Sequence, residues 1–405
     1  MHVLFVEPSF PYYQRKFVRA LHEVGARVTG IGEMPKDHLS SELRQWLHGY
    51  EEVPNVCSEG HMVEAVRRVQ RREWVDRLEA TIEAHVLTAA HVREKTGIPG
   101  TSVRTAYLCR DKPAMKEALR QAGIPCAQST GADSPEEVRE FAAEVGFPLI
   151  LKPRDAAGAA GTWRADNAAE LEQAIRASGV GQRSVAVEEF IEGHEAFYDT
   201  LAIRGEISQE FITHYYPGVL EAMRSRWISP QFIATNRVDA DSYSEVKELG
   251  RKVIEALGIG TSATHMEWFF GPKGLKFSEI GCRPPGVGAW DLYCAGNDMD
   301  LYREWAMAMV HGHSPARPSR RFAAGLVNLR PNRDGRIAGY EGLESVQQAY
   351  GEWIIDTNIP SPGTPTQPVE AGYMANAWIR VRHPDYDHLR HILNTIGQTV
   401  KVYAG

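Results

Sequence analysis

The first 31 residues alternate between strand and helix patterns, and this order constrains how the fold begins. Residues 2–7 form a short run rich in β-branched and aromatic residues, and a helical pattern follows over about 13–24. Gly25 lies where a helix is expected to end on glycine, and residues 27–31 have the pattern of a second strand. The chain is therefore predicted to open with a βαβ unit.

The composition is that of an ordinary globular protein. The 405 residues correspond to about two to four domains. Hydrophobic residues make up 43% and charged residues 24%, which excludes wholesale disorder. The net charge of −7 is not that of a general nucleic-acid binder, and no apolar run approaches the ~20 residues that span a bilayer. We expect no nucleic-acid partner and no membrane partner.

The five cysteines predict neither a disulfide framework nor a cysteine-based zinc site. Their number is odd, and no C-x-x-C pair occurs. The sequence also contains no N-x-S/T glycosylation acceptor. We therefore expect a reducing, cytoplasmic location.

Helical patterns dominate the first half after the βαβ unit. A long charged helical region is predicted over about 61–95, and a helix over about 112–122. Two capping boxes, in which a serine precedes a glutamate by three residues, predict helix starts: Ser134 with Glu137, and Ser242 with Glu245.

The second half is richer in strand patterns. Residues 258–263 match G-x-G-x-x-A, but they follow an amphipathic helix and precede a strand, so they predict a helix end and not a dinucleotide loop. Strands are predicted over 265–270 and 275–280, joined by a hairpin turn at 271–274. A Ser-, Pro- and Arg-rich stretch at 314–319 indicates a boundary, and few helical patterns follow it.

The first candidate for a functional element is a lysine that ends an apolar strand. Lys152 follows residues 149–151, and a loop of small residues, 156–161, comes soon after. Small residues let backbone N–H groups approach phosphate oxygens, and the lysine supplies a point charge for them. The alternative is a flexible surface loop beside an ordinary lysine.

The second candidate is the acidic segment 187–195. A strand that runs into a loop can offer main-chain donors and acceptors to an adenine edge, and a carboxylate a few residues on can accept from ribose hydroxyls. The alternative is an acidic, solvated turn.

The third candidate is a pair of glutamates on one predicted hairpin. Glu267 and Glu279 each lie in an apolar setting on adjacent strands, where two carboxylates repel unless a cation lies between them. Mg²⁺ prefers one or two carboxylates plus substrate phosphates. Arg283 follows four residues later and suits a developing phosphoryl or carboxylate charge. The alternative is a pair of outward, solvated glutamates.

The order of these elements resembles that of the ATP-grasp superfamily over roughly residues 1–330. The resemblance implies an α/β (α+β) ATP-grasp fold in three parts. These are a Rossmann-like N-terminal domain over 1–105, a nucleotide-binding body over 106–314 with a lid at roughly 125–195, and a small β-rich C-terminal domain over 315–405.

The resemblance also assigns roles to individual residues. The implied nucleotide-binding residues are Lys112, Lys152, Gly158, Gly161, Glu188, Ile191 and Glu195, the implied metal ligands are Glu267 and Glu279, and the implied catalytic residues are Arg283 and Lys152. One position departs from the family pattern, because the usual asparagine between the second glutamate and the arginine is Gly281 here. Glycine has no side chain to coordinate a metal, so a water or a substrate oxygen would have to fill that position.

The activity implied by the resemblance is that of a carboxylate–amine ligase. Such an enzyme uses ATP with Mg²⁺, or Mn²⁺, to convert a small amino-acid-like carboxylate into an acyl phosphate that an amine then attacks. The resemblance also implies a homodimer. Two alternatives stay open, namely a carboxylase or purine-biosynthesis-type enzyme, and a nucleotide-binding regulator without turnover. Arg224, Arg226 and His265 are candidates for substrate contacts, with surface or packing roles as the alternative.

Overall fold

A parallel four-stranded sheet forms the N-terminal part of the computed structural model, which describes residues 1–155, 161–369 and 373–405. Its strands are β1 (His2–Val6), β2 (Arg27–Gly32), β3 (Gly49–Glu52) and β4 (Arg77–Glu79), in the order β3-β2-β1-β4. The helices are α1 (Gln14–Glu23), α2 (Ser41–Trp46), α3 (Glu59–Gln70) and α4 (Glu83–Thr96). β1 pairs in parallel with β2, which confirms the predicted βαβ opening.

The predicted helical region over 61–95 is helical at both ends, in α3 and α4, but β4 interrupts it. β4 pairs in parallel with β1, and Leu78 lies opposite Leu4. Val75 and Leu78 are fully buried. Burial of these apolar side chains and the hydrogen bonds to β1 outweigh the helical charge pattern of the segment, so the chain leaves the helix to add a strand.

A small antiparallel sheet follows, after helices α5 (Val103–Leu108) and α6 (Lys112–Gln121). The elements of this small sheet are β5 (Ser129–Ala132), α7 (Pro135–Val145), β6 (Leu149–Pro153), β7 (Trp163–Ala165), α8 (Ala168–Ser178) and β8 (Val185–Glu189), with strand order β5-β8-β6-β7. The predicted capping box starts α7: Ser134 accepts from the N–H of Glu137, whose carboxylate accepts from the N–H of Ser134.

An eight-stranded antiparallel sheet, the large sheet, forms the centre of the molecule. Its strands are β9 (His194–Ile203), β10 (Glu206–Tyr216), β11 (Gln231–Ala234), β12 (Ser262–Gly271), β13 (Gly274–Gly281), β14 (Ala323–Leu329), β16 (Ile354–Asn358) and β17 (Ala377–His383). The strand order is β13-β12-β9-β10-β11-β14-β17-β16. A further pair, β15 (Ile337–Glu341) and β18 (Lys401–Ala404), lies outside it.

The remaining helices pack around the large sheet. They are α9 (Val219–Ala222), α10 (Ser244–Leu257), α11 (Ala289–Asn297), α12 (Leu301–His311), α13 (Leu343–Tyr350) and α14 (Tyr386–Thr399). The predicted capping box at Ser242 is wrong, because a 3₁₀ turn at Asp241–Tyr243 precedes α10 and no side chain caps that helix. α10 ends at Gly258 in the left-handed conformation, so the G-x-G-x-x-A match is a helix end.

Strands on both sides of the predicted boundary near 314 hydrogen-bond in one sheet, since β14 pairs with β11. The C-terminal part also contains helices that the sequence interpretation missed. The longer one, α14, carries a buried apolar stripe of Leu389, Ile392, Leu393 and Ile396. No helix in the described part of the chain is long and apolar enough to cross a membrane.

A pair of histidines lies within the fold, and one of them, His194, directly precedes the predicted site residue Glu195. His194 Nε2 and His214 Nδ1 share a hydrogen bond of 2.9 Å, and His214 Nε2 lies 2.8 Å from the hydroxyl of Tyr243. Burial, followed by the charges of His194 and Arg390, lowers the pKa of His214 to about 3. The folded protein therefore holds His214 neutral.

This pair predicts acid sensitivity of the fold. The pKa of His214 is lower in the folded than in the unfolded chain, so its contribution to stability is complete above pH ~6.5 and is lost as the pH falls toward 3. From pH 7 to pH 5 the free energy of unfolding should fall by about 2 kcal/mol through this group. In urea unfolding, His214→Gln should lose that part of the pH dependence, and the exposed-site control His22→Gln should keep it. An unchanged pH dependence in His214→Gln would contradict the assignment.

Candidate active site

One cleft of about 910 Å³ collects most of the predicted site residues. It lies between the small sheet and the β12–β13 edge of the large sheet, and the loop after β13 closes one side. The predicted residues that line it are Lys112, Lys152, Glu188, Ile191, Glu195, Glu267, Glu279 and Arg283. The sequence thus predicted residues from five separate segments that the fold brings to one place.

The two predicted metal ligands face each other across a strand pair. Glu267 on β12 lies directly opposite Glu279 on β13. The neighbouring positions Met266 and Ile280 are buried in the core on the other face of the hairpin. Alternation along the strands therefore directs both carboxylates to the cleft.

Glu195 adds a third carboxylate beside this pair. Its Oε2 accepts a hydrogen bond of 2.6 Å from the N–H of Val219. A Cβ at Gly218 would lie 2.6 Å from the same oxygen, so glycine is needed for this close approach of the chain. Burial, followed by the charge of Glu267, raises the pKa of Glu195 to about 8. The crowding of carboxylates thus disfavours a further negative charge on Glu195, and a cation bound nearby would relieve this repulsion.

The start of α6 places lysines against these acids. Asp111 caps the helix by accepting from the N–H of Ala114, and its carboxylate also accepts two hydrogen bonds, of 2.8 and 2.9 Å, from Arg154 just after β6. Lys112, the first helical residue, lies with its Nζ 3.3 Å from Glu279. The Asp111–Arg154 pair therefore fixes α6 to the strand that carries Lys152.

Lys116 is a buried cation of the site that the sequence interpretation missed. It lies one turn after Lys112 and is fully buried, with its Nζ 2.6 Å from Glu188 Oε2. Lys152 Nζ lies 2.8 Å from the same oxygen. The i, i+4 spacing from Lys112 was the one signal in the sequence, because it puts both lysines on one face of a helix.

The charges within this lysine–glutamate cluster shift the pKa values of its own members. Burial alone would raise the pKa of Glu188, but the ammonium groups of Lys116 and Lys152 lower it to about 2. Burial lowers the pKa of Lys116 to about 8, against the opposing charge of Glu188. Glu188 Oε1 is buried and has no hydrogen-bond donor in the described part of the chain. This oxygen can therefore accept a hydrogen bond from a ligand.

Arg283 is held by a carboxylate from the N-terminal sheet region. Its Nε donates a hydrogen bond of 2.6 Å to Glu83 Oε2, and its Nη1 donates one of 2.8 Å to the carbonyl of Pro284. Burial alone would lower the pKa of Arg283, but Glu83 raises it on balance. Glu83 lies 200 residues away in sequence, and no local pattern marked it.

The three candidates for substrate contacts have different surroundings. Arg224 and His265 line the cleft, whereas Arg226 does not and instead pairs with Asp334 at 2.8 Å. His265 Nδ1 lies 2.7 Å from Asp199. Burial alone would lower the pKa of His265, but Asp199 raises it to about 9.

The predicted phosphate loop is described only at its edges. Gly158 lies outside the described residues. Gly161 is described and adopts a left-handed φ of 67°, and its neighbour Thr162 lines the cleft. Ile191 also lines the cleft, next to the end of β8. The nucleotide-binding roles of these residues stay predictions.

A comparison with family models matches residues 117–297 to the ATP-grasp domain. The central part of the chain is therefore an ATP-grasp domain. The matched range contains Lys152, Glu188, Glu267, Glu279 and Arg283.

The named relatives of the chain include amino acid ligases and phosphoribosylglycinamide formyltransferases. The chain is 30% identical over 220 residues to the L-arginine-specific L-amino acid ligase of Bacillus subtilis, a match of 53% of this chain and about half, 52%, of that ligase. It is 25% identical over 393 residues to the formate-dependent phosphoribosylglycinamide formyltransferase of Bacteroides thetaiotaomicron, which covers 92% of this chain and 98% of that protein.

A solved structure gives the same fold over the whole length. The crystal structure of an L-amino acid ligase from Bacillus licheniformis superposes with a TM-score of 0.78, over 100% of this chain and 98% of that one, at 17% identity. This likeness confirms the predicted ATP-grasp fold.

ATP-grasp enzymes use ATP and a divalent metal, and the side chains of this cleft fit both. No three or more His, Cys, Asp or Glu side chains in the described ranges form a group that could hold a metal ion. Mg²⁺ is usually bound by one or two carboxylates together with substrate phosphates, so Glu267 and Glu279 form a suitable half-site. The lysines at the other side of the cleft suit the phosphates.

The buried cluster around Glu188 predicts a large stability effect. Lys116→Met should lower the free energy of unfolding by about 3–5 kcal/mol, since breaking a buried pair leaves a poorly compensated charge. Because Lys152 still pairs with Glu188, the loss of unfolding free energy should lie near the lower end of this range. The double variant Lys116→Met/Glu188→Gln should regain most of the lost free energy of unfolding, measured in urea. The exposed-lysine control Lys252→Met should change little, and an equally small change in Lys116→Met would contradict the assignment.

Proposed function

We propose that this chain is an ATP-dependent carboxylate–amine ligase that forms an amide bond through an acyl phosphate, with small amino-acid-like substrates. The observation that carries the proposal is the division of charge within one cleft. Lysines from α6 and β6 lie on one side, two opposed carboxylates lie on the hairpin, and a partly buried arginine, Arg283, lies beside them. This arrangement suits a phosphoryl group in transfer, for which the protein mainly supplies position and charge.

ATP would lie across the small sheet and the hairpin. Glu188 Oε1 has no donor among the described residues and suits the amino group of adenine, while the main chain at Ile191 suits the ring edge. Glu195 would accept from the ribose hydroxyls. Lys112 and Lys152 would neutralise phosphate charge, and Glu267 with Glu279 would hold the metal ion. Bound Mg²⁺, or Mn²⁺, would screen the phosphate oxygens during transfer.

The reaction proposed here has two steps. An oxygen of the substrate carboxylate attacks the γ-phosphorus of ATP, the bond to the β-phosphate oxygen breaks, and ADP leaves. The amine then attacks the carbonyl carbon of the acyl phosphate, loses a proton, and inorganic phosphate leaves. Arg283 would steady the transferring phosphoryl group and the tetrahedral oxyanion. No protein nucleophile is needed.

A second candidate substrate pair is formate and phosphoribosylglycinamide. The observation that favours it is the end-to-end match to the formyltransferase, which covers 92% of this chain. Formate is itself a carboxylate, so the same charges in the cleft serve either reaction. A homodimer and a cytoplasmic location remain predictions from the sequence.

An assay of ADP release tests the proposed function. The chain is incubated with ATP, Mg²⁺ and pairs of L-amino acids, and in a separate arm with formate and phosphoribosylglycinamide. We expect ADP and phosphate to appear in step with an amide product in the amino-acid arm. Release confined to the formate arm would favour the second candidate. If the chain binds nucleotide but releases no substrate-dependent ADP in either arm, both candidate reactions would be contradicted. A nucleotide-binding regulator without turnover would then be favoured.

Glu279→Gln tests the proposed metal site. Loss of one carboxylate opposite Glu267 should lower turnover at least about 100-fold, because the metal and the phosphoryl group lose a charged partner. Circular dichroism and thermal unfolding should show an intact fold. The matched control Glu255→Gln, at an exposed position on α10, should keep full turnover. Near-normal activity of Glu279→Gln would refute the metal assignment.

A further inference from the structure

Gly281, the position at which this chain departs from the family pattern, lies against a carboxylate from another part of the molecule. A Cβ built on Gly281 would lie 3.2 Å from Glu83 Oε2, closer than ordinary van der Waals contact. Gly281 ends strand β13 opposite His265 on β12, two pairs along from Glu267 and Glu279 and so on the same face. The face of the hairpin that carries the predicted metal ligands therefore continues onto the carboxylate of Glu83.

Glu83 cannot easily move away from a side chain at 281. It is the first residue of α4, and its Oε2 accepts the 2.6 Å hydrogen bond from Arg283 Nε. Its Oε1 and its main-chain carbonyl both accept from Arg110, at 3.4 and 2.8 Å. A displacement large enough to admit a longer residue would break these bonds. Glu83 and an asparagine at 281 therefore compete for one space.

An asparagine at 281 could reach the same partner. The Cβ position at Gly281 lies 3.6 Å from Arg283 Nε, within reach of an amide oxygen two bonds further out. Arg283 Nε could therefore donate to a side-chain oxygen on either of two elements. One is the carboxylate of Glu83 on α4, and the other is the amide of an asparagine placed at 281 on β13.

We propose that Glu83 is a positioning residue for Arg283, and that it supplies from α4 the side-chain oxygen that Gly281 cannot supply from β13. This inference rests on the proposed function in that Arg283 acts on the transferring phosphoryl group. Glu83 fixes the guanidinium of Arg283 by accepting a hydrogen bond from its Nε. Because Arg283 lines the cleft, loss of the Glu83 oxygen should reach the phosphoryl group through Arg283.

The test compares two nucleotides that differ at the γ-position. Binding of ADP and of the β,γ-imido analogue of ATP, each with Mg²⁺, is measured by calorimetry for the wild type and for Glu83→Ala, Glu83→Gln, Gly281→Asn and the double variant Glu83→Ala/Gly281→Asn. This measurement needs no carboxylate substrate. It therefore gives a result even if the ligase assay finds no turnover, so failure of the ligase proposal and failure of this inference are distinguishable.

The proposal predicts a specific pattern. Glu83→Ala should weaken binding of the imido analogue about tenfold while ADP binding stays unchanged, a loss in the range of about 10- to 100-fold known for supporting residues. Gly281→Asn should show the same defect, because the new side chain displaces Glu83. The double variant should bind the analogue more tightly than either single variant, and Glu83→Gln should keep most of the wild-type affinity. Where turnover is measurable, kcat/KM for ATP should follow this order.

Several outcomes would overturn the proposal. An unchanged ratio of the two affinities in Glu83→Ala would show that Glu83 does not act through Arg283. Additive losses in the double variant would show that positions 83 and 281 do not share one space. Equal weakening of ADP and the imido analogue, or no binding of either by the wild type, would also overturn it. If Glu83→Ala does not fold, as judged by thermal unfolding, Glu83→Gln and Gly281→Asn carry the same comparison.

Discussion

The opposition of Glu267 and Glu279 across one strand pair is the constraint on which the rest of the site depends. Two carboxylates fixed face to face on this hairpin repel each other, and lysines from two other elements lie close enough to offset this charge. Lys112 reaches Glu279 from the start of α6, and Lys152 reaches across from β6 to Glu188. The small sheet, α6 and the hairpin are therefore held together by charge at the cleft, where a metal ion and a polyphosphate would complete the balance.

Much of the fold and of the site was predictable because its signals are local. The βαβ opening, the hairpin turn at 271–274 and the capping box at Ser134 each depend on a few neighbouring residues. The predicted site residues that the structure describes are likewise marked by their immediate context, a lysine at the end of an apolar strand or a glutamate within one. The order of these marks along the chain, more than any one of them, indicated the ATP-grasp family.

What the sequence interpretation missed depends on contacts between distant segments. The segment that forms β4 has a helical charge pattern and becomes a strand only because β1 offers it an edge. Lys116 is distinguished from a surface lysine only by its burial against Glu188. Glu83 gains its importance from Arg283, 200 residues further along the chain. Gly281, noted in the sequence for its lack of a metal-binding side chain, leaves room in the structure for the carboxylate of Glu83.

The central claim is that the cleft transfers the γ-phosphoryl group of ATP to a carboxylate. Transfer of an isotope label tests it most directly. A substrate carboxylate labelled with ¹⁸O, identified by the ADP-release assay, is turned over with unlabelled ATP, and the inorganic phosphate is analysed by mass spectrometry. The account predicts one ¹⁸O atom in each phosphate, because a carboxylate oxygen becomes the bridge of the acyl phosphate and leaves with phosphorus. Phosphate free of label, released in step with product, would contradict it.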